Sequence, residues 1–199
     1  MIDPANTIGR SATISAAFDN ARNLLNRYGI DQSNMRLKSY IEFVDAVRAQ
    51  QVEGKYDPLD FILFWREIHE VIFVLNVFET NQISIPSELL RKAFSGHPIR
   101  ANDADRDRSR NYMLQLRAAI YFLRLGFTIE LDDECDVVTH RRRERYYIEC
   151  KCLYSPNKVC DRLSEGYGQL VHRLDSPNAL KKARGILWVD PSAILLREC

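Results

Sequence analysis

The chain has 199 residues, 46% hydrophobic and 28% charged, with a formal net charge of +1. That length allows one well-filled core, or one core with a helical appendage, and the composition is ordinary for a soluble globular protein. The near-zero charge carries no global electrostatic signature, and the longest apolar stretch, Phe61 to Phe78, is broken by Arg66, Glu67, His69 and Glu70, which excludes a membrane span.

The first half reads as helices. Ser11 to Tyr28 places Ile14, Phe18, Ala21, Leu24 and Leu25 at helical spacing and stops at Gly29. Met35 to Val52 repeats the pattern. Asp57-Pro58 caps a third helix, with proline at its first position, running to about Phe78. Ser84-Ile85-Pro86-Ser87 breaks the chain, and Glu88 to Phe94 forms a short helix. Gly96 to Asn102 reads as a linker, so a helical region over 1–100 is expected to precede a second domain over 101–199.

In that second region Asp103 to Leu125 predicts a helix ended by Gly126, and Phe127 to Leu131 a strand. Two further strands flank Arg142-Arg143, the second reaching about Leu153. Lys158 to Leu174 predicts a helix, with Ala179 to Arg184 as its continuation beyond Ser176-Pro177-Asn178. Gly185 to Asp190 reads as a short strand buried on both faces. The chain stops soon after that strand, which is consistent with a fragment whose missing segment could carry more sheet or a specificity element.

Charge and cysteines narrow the setting. Residues 1–99 carry 10 Lys/Arg against 12 Asp/Glu, and residues 100–199 carry 18 against 15, a net of +3. The excess is clustered at Arg141, Arg142, Arg143 and Arg145, which suit phosphate contacts or, more plainly, a solvated turn. The five cysteines, an odd number with no basic and apolar leader, suggest reduced thiols in a cytoplasm. Cys135 and Cys150 read as small core residues, and no zinc-ligand spacing is present.

The chemistry concentrates in the hairpin. If the chain turns at Arg142-Arg143, facing positions sum to 285. Val137 then meets Ile148, Thr139 meets Tyr146, Cys135 meets Cys150, and Asp136 meets Glu149. One face collects the apolar residues, and the other collects Asp136, Glu149, Lys151, Tyr147 and His140. Two carboxylates and an amine together can hold a divalent cation and a phosphate. The plainer alternative is a solvated strand face with a weak Glu149–Lys151 pair. Asp133 and Glu134 are alternative acids to Asp136. His140 and His172 read as structural.

The residues Gly126-Phe127-Thr128-Ile129-Glu130-Leu131, Asp136-Val137-Val138 and Tyr147-Ile148-Glu149-Cys150-Lys151, in the order α-β-β-β-α-β, resemble the PD-(D/E)xK nuclease superfamily. The resemblance covers roughly 105–190. It implies an α/β (α+β) protein: an N-terminal helical region, then a restriction-endonuclease-like αβββαβ core with a central mixed sheet. It implies that Asp136 and Glu149 ligate Mg²⁺ or Mn²⁺ with the carbonyl of Cys150. It gives Lys151 a role at the attacking water and phosphate, and Gln169 a supporting role on the second core helix. Many members carry a Glu on the first core helix about eleven residues before its closing Gly; here that position is Gln115.

The function this implies is metal-dependent phosphodiester hydrolysis of nucleic acid, with DNA expected over RNA. No membrane partner is expected, and a homodimer could form through the Phe61–Phe78 helix. The rivals are a catalytically inactive module of the same fold that binds nucleic acid or protein, and a helical interaction protein whose second domain is a scaffold.

Overall fold

The computed structural model describes residues 4–31, 33–98, 109–131, 135–175 and 183–192, with side chains from residue 14 onward. The chain divides into two compact units, one of residues 1–87 with 94–102, the other of 88–93 with 103–199. No helix among the described residues is long and apolar enough to cross a membrane.

The first unit is helical: α1 (Pro4–Arg27), α2 (Met35–Arg48), α3 (Pro58–Thr80), and the two terminal residues of α4 (Ser87–Phe94). Its starts are written in the sequence. Asn34 accepts the amide of Leu37 to cap α2, and Asp57 accepts that of Asp60 to cap α3, with Pro58 behind it. Helix α1 begins seven residues before the expected Ser11, and α2 stops at Arg48, short of Val52. Leu25, Leu37, Phe43, Ile68 and Val71 are buried, and Phe43 stacks on Phe64 at 5.1 Å. Inside this core Arg36 pairs with Glu67 at 3.0 Å and donates to Tyr40 Oη. The apolar side of α3 is thus spent within its own unit. Ile62 and Phe73 alone among its large apolar residues past Leu59 stay exposed, which gives no support to a homodimer through this helix.

The second unit holds a four-stranded sheet in the order β1-β2-β3-β4. Its elements are the middle of α4 (residues 88–93), α5 (Ser109–Arg124), β1 (Thr128–Glu130), β2 (Val137–Arg141), β3 (Glu144–Cys152), a 3₁₀ turn (Pro156–Lys158), α6 (Val159–Leu174) and β4 (Ala183–Asp190). Strand β2 runs antiparallel to both β1 and β3, and β4 runs parallel to β3. The hairpin register is the one the sequence implies: Val137 faces Ile148 and Thr139 faces Tyr146. Arg142 takes the turn with a φ of 59°, a left-handed conformation that a residue with a Cβ adopts at some cost.

Helices cover both faces. Trp188, opposite Cys150, contacts Tyr121 and Phe122 of α5 at ring distances of 5.0 and 6.1 Å. Leu187 and Lys151 have the other parity and lie against Gly166 of α6. Alternation along the strands therefore puts α5 and α6 on opposite sides of the sheet.

Three expectations need correction. Strand β4 is not buried on both faces: it ends the sheet among the described residues, and Arg184 and Gly185 are exposed while Ile186 to Val189 are half-buried. Ala183 and Arg184 belong to β4, not to a continued helix, because they pair with Arg145 and Tyr146 of β3; residues 179–182 lie outside the described residues. Tyr146 and Tyr147 are both half-buried, not one core and one surface ring. The expected start of α5 at Asp103 and the alternative acids Asp133 and Glu134 lie outside the described residues as well.

Candidate active site

The site forms where the hairpin ladder runs out. Strand β2 begins at Val137, opposite Ile148, while β3 continues to Cys152. The amides of Cys150 and Cys152 therefore have no strand partner on that side, and a buried amide must find an acceptor. Asp136 Oδ2 accepts from Cys150 N at 2.6 Å, and Asn111 Oδ1 of α5 accepts from Cys152 N at 2.8 Å. Asp136 is thereby fixed one step beyond the ladder, in the same register that puts it beside Glu149. Its other oxygen, Oδ1, accepts a hydrogen bond from Gln115 Nε2 of α5.

Glu149 and Lys151 follow on one face of β3, and neither is solvated: they are 2% and 5% exposed. That rules out the weak surface pair. Lys151 Nζ donates to Glu149 Oε1 at 3.0 Å and to Gln169 Oε1 of α6 at 2.6 Å, and it lies 3.4 Å from Glu165 Oε1. Gly166 lets α6 approach: a Cβ there would stand 2.5 Å from Leu187 Cδ1 and 3.2 Å from Lys151 Cε. Glu149 Oε2 is buried without a hydrogen bond among the described residues, with Arg173 Nη2 in an ion pair at 3.8 Å.

These side chains line one polar pocket of about 100 Å³, closed further by Asn111, Tyr112 and Arg162. Gln115, Asp136, Glu149, Cys150, Lys151 and Gln169 all belong to it. Burial, and then the charge of Glu149, pushes the Asp136 carboxyl up to about 7. Burial also raises Glu165, but Lys151 and Arg162 more than offset it, and the carboxyl sits below its ordinary range. Burial lifts the Cys135 thiol to about 11 and Cys150 well above its usual value, so Cys150 can offer a cation its carbonyl and not a thiolate. The N–H and C=O of a strand residue point to the same edge, so that carbonyl faces the side on which Asp136 meets the Cys150 amide.

Among the described residues no three His, Cys, Asp or Glu side chains gather as a metal cluster. The donor set near Asp136 is two carboxylates and a carbonyl, with the Gln115 amide beside it. A hard divalent ion that keeps most of its waters needs no more than that, and Glu149 Oε2, which accepts no hydrogen bond among the described residues, is an acceptor for one.

Sequence reading missed Arg162, Glu165 and Arg173. With Gln169 they form one stripe along α6, at steps of three and four residues, and that spacing was the available signal. The four arginines of the hairpin do not form one group. Arg141, Arg142 and Arg143 are exposed at the tip, whereas Arg145 sits over the Tyr147 ring at 5.1 Å and 3.5 Å from Glu130. His140 also pairs with Glu130, at 3.1 Å.

No protein-family model, no curated protein and no solved structure matches the chain.

Proposed function

We propose that the second unit is a restriction-endonuclease-like domain, akin to the PD-(D/E)xK nucleases, that hydrolyses phosphodiester bonds of nucleic acid, DNA foremost, with Mg²⁺ or Mn²⁺. The observation that carries this reading is the gathering of buried Glu149 and Lys151 and half-buried Asp136 around one small polar pocket, between two helices that each contribute a glutamine. A half-buried acid beside a buried one raises the free energy of the empty site, and a cation relieves that repulsion.

In this reading Asp136, Glu149 and the Cys150 carbonyl hold the ion, which when bound polarises the phosphoryl group and makes its water more acidic. Lys151 binds a phosphate oxygen and orients the attacking water toward phosphorus. Glu149 and Gln169 fix the ammonium by accepting two of its hydrogens. Arg162, held by Glu165 at 2.7 Å, stands at the pocket where a neighbouring phosphate would pass. The new bond joins water oxygen to phosphorus, one P–O ester bond breaks, and the departing oxygen takes up a proton.

One observation favours a second reading, a non-catalytic nucleic-acid-binding module. Gln115 donates to Asp136 and occupies an oxygen that a ligand would otherwise use. Cleavage of plasmid DNA in Mg²⁺ or Mn²⁺ by wild type, Glu149→Gln and Lys151→Met separates the two. The nuclease reading expects cutting by wild type and loss of at least about a hundredfold in each variant, the usual scale for a lost charge-stabilising group. No cutting by folded wild type, or equal cutting by all three, ends it.

A further inference from the structure

The geometry points to a second contact surface for nucleic acid at the tip of the β2–β3 hairpin, where Arg142 and Arg143 seat phosphates without regard to base sequence. It rests on the proposed function only for the class of ligand.

Three observations converge there. A groove of about 650 Å³ opens beside the turn, lined by Phe127, Arg141, Arg142, Arg143, Glu144 and Tyr146. The other cations around it are engaged: Arg141 lies over the Phe127 ring at 5.2 Å, and Arg184 pairs with Glu144 at 3.0 Å and lies over Tyr146. Arg142 and Arg143 are exposed and make no hydrogen bond or ion pair among the described residues. Finally, Arg142 occupies a left-handed turn position, at φ 59°, where Gly or Asn would rest without strain.

The rings do not offer a stacking platform, because guanidinium groups already cover Phe127 and Tyr146. That leaves phosphate as the ligand group. Guanidinium forks suit phosphate oxygens, and such contacts position a nucleic acid while carrying no sequence information. The tip lies six residues along β3 from Glu149, about 20 Å at the rise of an extended strand. It cannot touch the phosphate being cut, so it would hold the backbone several nucleotides away.

The test is binding of a short fluorescent DNA duplex in EDTA across a salt series, which reads affinity with no cleavage. The variant is Arg142→Asn with Arg143→Gln, since Asn tolerates the left-handed turn; an unchanged melting midpoint verifies the fold. The expected result is weaker binding and a slope of log K against log salt shallower by about 1.8, two contacts at about 0.9 each on duplex DNA. Arg184→Ser, which removes an engaged cation, should leave the slope unchanged. Wild-type affinity and slope in the double variant, or no DNA binding by wild type, overturns the inference. So does loss of binding to phosphatidylserine vesicles with DNA binding intact. DNA that is bound through the tip and never cut would sink the proposed function and leave this inference standing; cutting that ignores the tip would do the reverse.

Discussion

Asp136 accepts the backbone N–H of Cys150 at 2.6 Å, tying the residue just before β2 to the strand that carries Glu149 and Lys151. This bond replaces a missing rung of the ladder and at the same time holds a half-buried acid beside the buried Glu149. The arrangement costs stability when the pocket holds no cation. Several consequences of that cost can be measured.

The first concerns pH. Asp136 is pushed up to about 7 by burial and by Glu149. An acid whose folded-state pKa exceeds its unfolded value leaves stability intact at low pH and takes it away as pH climbs toward the folded value. In chelator, Asp136→Asn should therefore be more stable than wild type at pH about 8, on the order of 1–3 kcal/mol, with no advantage near pH 4. Gln115 can turn its amide to present oxygen to the new NH₂ group. Thermal melts of both proteins across pH check this; a wild-type advantage at the alkaline end contradicts it.

The second concerns the buried pair. Lys151→Met leaves Glu149, 3% exposed in its side chain, without its closest cation. A loss of about 2–4 kcal/mol is expected, because a buried charge without its partner keeps its desolvation cost. Adding Glu149→Gln should restore at least half of it. Urea denaturation of the single and double variants measures the coupling, and additive losses would contradict it.

How much of this was legible beforehand differs by element. The hairpin register could be read because apolar and polar residues alternate on both strands, and only one pairing sorts Val137, Thr139, Tyr146 and Ile148 to one face. Glu149 and Lys151 stood out for the same reason. Their burial did not, since it comes from α6, and the closeness of that helix depends on Gly166. Arg162, Glu165 and Arg173 looked like an ordinary solvated helix face. The apolar run of β4 suggested a central strand, but strand order is a property of the whole sheet, and β4 lies at its end among the described residues.

Two glycines of α6 should respond oppositely. A Cβ at Gly168 meets nothing within 4 Å, so Gly168→Ala should stabilise by about 0.5–1 kcal/mol through helix propensity. Gly166→Ala should forfeit that gain to crowding against Leu187 and Lys151, ending at least about 1 kcal/mol below Gly168→Ala. It should also slow any cleavage, since Lys151 is displaced. Equal stability of the two variants would contradict the close approach of α6.

Gln115→Glu replaces a donor to Asp136 with a third acid. Without metal this should cost about 1–3 kcal/mol, by loss of a hydrogen bond and added repulsion. Calorimetric titration with Mn²⁺ should then show tighter binding than wild type. Unchanged affinity would place the cation away from Gln115.

The most direct measurement is anomalous diffraction from crystals soaked in Mn²⁺. The account predicts one strong peak bound by the carboxylates of Asp136 and Glu149 and the carbonyl of Cys150, lost in Glu149→Gln. A pocket that stays empty at saturating Mn²⁺, or a peak held only by other residues, would contradict it.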